Sequence, residues 1–313
     1  MPIPYQEDFL LYLSSNNYSR ETIYNYELDL DVFARFLSDE MGITFQKINK
    51  KVIEQFKAYL TSRDRKTARK TDLTAKKLSS GSINRFLSSL RGYFGFLIEM
   101  DYKSPILPQH IKLVKMGKKH PHVAEFKDMV ELIESPTIFE KKFSPISLRN
   151  RAMLEVLFAT GMRISELVGL NRNQVDATGK IFITGKGRKQ RFVYLTERSK
   201  QHIENYLRTR KDQHPALFIP YRGQNAKTTA ARISPNYLQM KIKQYRERLR
   251  INVPTSAHSF RHGFATYLAE QGANPAAIQI LLGHESLDTT TRYVHASDRY
   301  AESEHRKFHP LKS

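Results

Sequence analysis

Residues 256–272 read SAHSFRHGFATYLAEQG. Pro254, Thr255 and Ser256 are helix-start signals and Gly272 is a stop, so a single helix is expected between them. Phe260, Phe264, Tyr267 and Leu268 supply its buried side. His258 and Arg261 lie three residues apart and share a face. His258 also falls in the first turn, where a helix stabilises an anion. His262 follows His258 by four residues, which raises a two-histidine metal site as an alternative. The glutamate of the HExxH pattern is missing, however, and no third ligand is evident.

Four other segments carry residues that complement this pair. ATGMRISELVGL (159–170) places Arg163 after Gly161-Met162 and before a short helical run. That is a helix start, where backbone N–H groups also favour an anion. KIFITGKGRKQRFVYL (180–195) reads as a β-hairpin, with Gly185 and Gly187 bracketing Lys186 at the turn. The glycines let a backbone approach closely, and Lys189 is a rival for the same role. ANPAAIQILLGH (273–284) starts at Asn274-Pro275, packs through Ile278, Leu281 and Leu282, and ends at Gly283. His284 then emerges just past a rigid helix end, as a functional group or as a simple cap. SLDTTTRYVHAS (286–297) holds Tyr293. A phenol has a pKa near 10 and needs cationic neighbours and a proton acceptor to become a nucleophile.

Two guanidiniums, a lysine, two imidazoles and a phenol suit a phosphodiester. Cations hold the anionic oxygens, the imidazoles and lysine move protons, and the phenol attacks. The set needs no carboxylate pair and no cysteine cluster, so neither a metal nor another cofactor is expected.

The bulk composition agrees with a polyanionic partner. The 313 residues carry a net charge of +20, and nucleic acid is the commonest partner for such a chain. The charge is uneven: residues 1–60 hold six basic and nine acidic side chains, so the excess lies in the remainder. Hydrophobic residues make up 40% of the chain, enough to build cores and to exclude global disorder. With no cysteine, disulfides and thiolate metal sites are excluded. The opening MPIPYQEDFLLYL lacks the charged start and apolar core of a signal peptide, and no apolar run reaches about 18 residues. A cytoplasmic protein with no membrane span is expected.

Along the chain, the first hundred residues read as four helices. Phe9, Leu10 and Leu13 form a short stripe. Ser19 caps a second helix carrying Ile23, Tyr26, Leu30, Phe33 and Leu37, with Gly42 as its stop. Val52, Phe56 and Leu60 mark a third. Ile83, Phe86, Leu87, Leu90, Phe94 and Leu97 mark a fourth. Between the third and fourth lies a basic segment, 61–77, with seven basic and two acidic residues. Arg63, Arg65, Lys66, Arg69, Lys70, Lys76 and Lys77 read as contacts to a phosphate backbone or as a solvated loop with no specific partner. Residues 105–120 read as a basic linker, and Lys118 and Lys119 join the candidate DNA contacts. Helices are expected over 124–134, 147–161, 196–210 and 234–251. The fold class is therefore mainly α with a small β-hairpin (α+β) in two domains, a helical one over 1–104 and a mixed one over 121–313.

Taken jointly, the five segments resemble the tyrosine recombinase (phage-type integrase) family, and most closely its Xer-type site-specific recombinases. Arg163 sits in the family's box I. His258, Arg261, His284 and Tyr293 match its box II, H-x-x-R-H with L-G-H and the nucleophilic tyrosine, and Lys186 occupies the hairpin lysine position. The matching segments lie between residues 151 and 297, whereas the helical N-terminal part resembles the core-binding domain only in size and pattern. The resemblance implies a two-domain C-shaped clamp on double-stranded DNA at an inverted-repeat site. It also implies a homo- or hetero-tetramer passing through a Holliday junction, with a partner recombinase or DNA translocase as further candidates. Tyr293 would form a 3′-phosphotyrosyl bond, Arg163 and Arg261 would bind the non-bridging oxygens, Lys186 would protonate the leaving 5′-oxygen, His258 would accept the phenol proton, and His284 would hydrogen-bond the phosphate. The tail SDRYAESEHRKF (297–308) would form a helix docked on a neighbouring protomer.

Two departures stand out. The 61–77 segment looks longer than the usual family connection, and Tyr194 stands where relatives often have proline. A type IB topoisomerase-like relaxing enzyme and a non-catalytic DNA-binding protein of the same fold are the competing readings. Chromosome dimer resolution, mobile-element integration and inversion stay open.

Overall fold

Helix caps punctuate the chain where short polar side chains precede apolar runs. The computed structural model describes residues 3–62, 78–116, 124–176, 178–185, 190–228 and 231–283. It divides into two compact units, Met1–Lys119 and His120–Ser313. Among the described residues no helix is long and apolar enough to cross a membrane.

The first unit contains α1 (Gln6–Ser15), α2 (Arg20–Arg35), α3 (Lys50–Thr61) and α4 (Ser80–Glu99). Ser19 accepts from the Thr22 N–H, Asn49 from Lys51 and Val52, and Ser79 from Ser82, so three of the four starts are side-chain capped. A single π turn, Phe36–Glu40, extends α2 before Gly42 turns left-handed at φ 58°. Leu30, Phe33, Phe56, Leu87, Phe94 and Leu97 are fully buried, and the expected stripes do form one core. Asp29 is buried inside it, where Ser89 Oγ and an Arg85 guanidinium nitrogen each donate at 2.7 Å. A carboxylate in such a place needs both donors to offset its lost hydration.

The segment read as a linker is in part a piece of this unit. Ile106 and Ile111 are core residues, the Arg91 Nε donates to the Ile111 carbonyl at 2.6 Å, and Asn84 exchanges two hydrogen bonds with the Val114 backbone. Lysine-rich composition hid two apolar anchors at 106 and 111.

The second unit is built around α6 (Pro145–Thr160), which packs against α5 (Phe126–Phe139), α8 (Glu197–Leu207) and α10 (Ala257–Glu270). Burial on several sides forces α6 to satisfy its own charges. Arg151 pairs with Glu155 at 2.8 Å, and Arg149 donates to the Ile219 carbonyl and to Tyr237. Helix α5 runs past the expected end at 134 and through Pro136. Proline offers no N–H to the Leu132 carbonyl; Ser135 Oγ donates to it instead at 2.7 Å. The short helix α7 (Ile164–Gly169) follows α6. Strands β1 (Lys180–Thr184) and β2 (Gln190–Tyr194) form the expected antiparallel hairpin, with Phe182 opposite Phe192 and Ile183 opposite Arg191. Its outer face carries Phe182, Phe192 and Tyr194, while Ile181, Ile183, Arg191 and Val193 point inward. Helices α9 (Pro235–Arg248) and α11 (Pro275–Leu282) complete the described part.

Candidate active site

Gly161 ends α6 in the left-handed region at φ 60°, with its N–H donating to the Leu157 carbonyl. That cap turns the chain so that Arg163 becomes the N-cap residue of α7. The expected helix start is present, but its anion is internal. Glu166, three residues on, accepts the Arg163 backbone N–H at 2.7 Å and the Arg163 guanidinium at 3.1 Å. With α7 only six residues long, the guanidinium is the group left to meet an external anion.

Helix α10 supplies the other two described residues. Ser256 caps it by accepting the Ser259 N–H. Arg261 is 3% exposed and reaches inward, donating to the Gly161 carbonyl at 2.8 Å and to the Leu282 carbonyl. One guanidinium thereby pins the α6–α7 corner and the end of α11 to α10. The buried side of α10 is broader than the four expected residues: Ala257, Ala265 and Ala269 are buried with Phe260, whereas Phe264, Tyr267 and Leu268 are only partly so. Small residues let the neighbouring helices come close.

His258 stands exposed in the first turn, its ring edge-on to His262 with centroids 4.3 Å apart. Partial enclosure by the chain, then the positive charges of Arg261 and Arg163, hold the His258 imidazole below its ordinary value. Both guanidiniums therefore act on this ring, and a neutral imidazole is what a proton acceptor requires. His262 is pushed down to about 4 by burial, then by His258 and Arg261. No cluster of three or more metal-ligating side chains exists among the described residues.

Arg163, His258 and Arg261 are thus brought together. Lys186, His284 and Tyr293 lie outside the described residues, as do Arg63, Arg65, Lys66, Arg69, Lys70, Lys76, Lys77, Lys118, Lys119 and the tail over 297–308. The chain does approach the site at the two flanking positions that are described. A Cβ built on Gly185 would sit 3.0 Å from Glu166 Oε1 and 3.6 Å from an Arg163 guanidinium nitrogen. A Cβ on Gly283 would sit 3.0 Å from Arg191 Cδ.

Sequence reasoning missed Glu166 and Arg191. Arg191 grips Glu166 with two bonds, 3.0 and 2.8 Å, and donates from Nε to the Leu281 carbonyl at 2.9 Å. Burial by itself would raise the Glu166 carboxyl, but hydrogen bonds from Arg191 and the Arg163 backbone and both guanidinium charges hold it below its ordinary range. Two signals were available: a glutamate three residues after a helix start, and an arginine at an inward position of an alternating strand.

Comparison with known proteins decides the family. Residues 123–299 match the phage integrase family, and residues 7–100 match the phage integrase N-terminal SAM-like domain. The chain belongs to the phage integrase family. It is a tyrosine recombinase, an enzyme that cuts and rejoins DNA. It is similar to tyrosine recombinase XerC of Halalkalibacterium halodurans, 32% identical over 96% of each chain. Tyrosine recombinase XerD of Staphylococcus epidermidis is 29% identical, covering 97% of this chain and 98% of the relative. Among solved structures, XerH site-specific recombinase bound to a palindromic difH substrate shares the fold. The TM-score is 0.70 at 22% identity, covering 92% of this chain and 80% of that one. The recombinase thus has the mostly helical, two-domain fold with a small sheet.

Proposed function

We propose that this recombinase is Xer-like and site-specific, cutting one DNA strand at a time through Tyr293 in a tetramer assembled on two inverted-repeat sites. The observation that carries the reading is the grouping of Arg163, Arg261 and His258: Arg261 donates to the Gly161 carbonyl, two residues before Arg163, and both guanidinium charges bear on the His258 ring and favour its neutral form. Two guanidiniums aimed at one phosphate are what it needs as its charge grows toward a pentavalent transition state.

The step balances as follows. The Tyr293 oxygen attacks phosphorus while His258 takes the phenol proton. The bond from phosphorus to the 5′-oxygen breaks, and Lys186 gives that oxygen a proton. A 3′-phosphotyrosyl ester and a free 5′-hydroxyl remain. Arg163, Arg261 and His284 hold the non-bridging oxygens throughout. Attack by the 5′-hydroxyl of a second strand runs the sequence backwards and forms the junction. The phosphodiester's bond energy stays in the protein–DNA ester, so the chemistry draws on neither a nucleotide triphosphate nor a divalent metal. The basic side chains over 63–77 and at 118–119 follow the duplex backbone. The enzyme acts in the cytoplasm, alone or with a second recombinase, in chromosome dimer resolution or element integration. Relatives named XerC and XerD support the recombinase reading.

A nicked suicide duplex tests this. Wild-type protein should become covalently attached to the strand's 3′ end, and Tyr293→Phe should not. Joined product between two sites separates recombination from DNA relaxation; supercoil loss without joining would overturn the recombinase reading.

A further inference from the structure

Strand β2 places an arginine where an apolar residue is expected, and all three of its guanidine nitrogens are engaged. The Arg191 side chain is 7% exposed, and its partner Glu166 is 5% exposed. Nε holds the Leu281 carbonyl and the two terminal nitrogens hold both carboxylate oxygens of Glu166. Gly185 and Gly283 each pack so closely on this pair that neither has room for an unhindered Cβ. Glu166 in turn holds Arg163, whose own side chain is 37% exposed, through its backbone N–H and one guanidinium nitrogen.

We propose that Arg191 is a positioning residue for strand cleavage: by neutralising Glu166, it limits Arg163 to a single guanidinium bond with that carboxylate and leaves the remaining Arg163 donors for the phosphate. This rests on the reading of Arg163 as a phosphate-binding residue. The charge count carries the argument. Arg163, Glu166 and Arg191 together leave one net positive charge at the site. Without Arg191, a buried carboxylate faces a single cation three residues away, and a fork–fork pair between them is the natural geometry. Arg163 would then meet the phosphate with its charge already answered. Arg191 touches no reacting atom in this scheme. It acts through Glu166, and through the backbone it fixes at Leu281 and beside Gly185.

The test uses the full-length protein and a nicked suicide duplex carrying the site that wild-type protein selects from a random-sequence library. Arg191→Met should slow single-turnover cleavage about tenfold or more while duplex affinity changes by less than about threefold. Adding Glu166→Gln to Arg191→Met should restore at least about threefold of the lost rate, because an amide needs no countercharge. A merely structural arginine would give no such recovery. Arg191→Lys, which keeps the charge and loses the fork, should fall between wild type and Arg191→Met. If Arg191→Met melts below the assay temperature, the same comparison is read between the neutral, polar Arg191→Gln and its Glu166→Gln double variant. The proposal is overturned if the folded single variant cleaves within about twofold of wild type, or if the double variant is no faster than the single. Covalent capture by wild type and its absence in Tyr293→Phe, run beside these, report separately on the cleavage chemistry itself.

Discussion

A guanidinium only 3% exposed must find acceptors for its donors, and Arg261 finds them in the Gly161 and Leu282 carbonyls. Those two bonds fix the plane of the group before any DNA arrives, which is the preorganisation that transition-state stabilisation requires. Arg261→Ala should therefore lower stability by roughly 2–4 kcal/mol, from two carbonyls that lose this donor. It should also lower the cleavage rate by about two or more powers of ten. Arg261→Lys should recover most of the stability and little of the rate, as urea melts and single-turnover cleavage would show. The histidines give a pH signature. His258 sits below its ordinary value, so the acid limb of kcat/KM, which reports on the free enzyme, should lie below pH 6.5. A limb above 6.5 would contradict its proposed role as proton acceptor. His262 has a folded value of about 4 against 6.5 when unfolded. The unfolded state therefore takes up the proton first, and stability should be intact above pH 6.5 and drain as the pH falls toward 4. His262→Phe should flatten melting temperature against pH in that window.

Gly161 shows how an element's end serves the site. A Cβ there would lie 2.4 Å from the Phe264 ring and would have to hold φ at 60°. Gly161→Ala should cost about 2–5 kcal/mol, combining left-handed strain with overpacking. Cleavage should fall further than stability explains, because the Gly161 carbonyl anchors Arg261. Differential melting and the suicide assay on the same sample would separate the two losses. The helices and the hairpin could be read from the sequence because caps and apolar spacing are local signals: Ser19, Asn274, Gly161 and Gly283 each act within a few residues. The wider site could not be read so fully. Nothing within five residues of Arg191 announces that its partners are Glu166 and Leu281, 25 and 90 positions away. The inward alternation of β2 predicts an apolar side chain there, so the sequence shows the exception, but its partners appear only when the strand is folded against α7 and α11. Helix α5 shows the reverse case, running through Pro136 past the expected end at 134. A local helix breaker is overridden by a serine hydroxyl that takes over the orphaned carbonyl.

At the scale of the whole molecule the deciding quantity is charge. A chain of net charge +20 whose first sixty residues are slightly acidic concentrates its cations on the remainder. Such a protein approaches any duplex under electrostatic attraction and sorts sites afterwards. Binding should weaken steeply and linearly as log affinity is plotted against log salt, with about 0.9 of slope for each phosphate neutralised. Exchanging Arg63, Arg65, Lys66, Arg69, Lys70, Lys76 and Lys77 for glutamine then counts the contacts made by that segment. If the segment follows the backbone, affinity for the selected site and for random duplex should fall by the same factor, and the slope should shrink by about 0.9 per lost contact. An unchanged slope would make it a solvated loop. A loss confined to the selected site would mean that it reads bases, since phosphate contacts carry no direct sequence information. Filter binding at four or five salt concentrations distinguishes the three outcomes. The cleavage rate at saturating DNA should not change in any of them, because none of these side chains belongs to the group that holds the scissile phosphate.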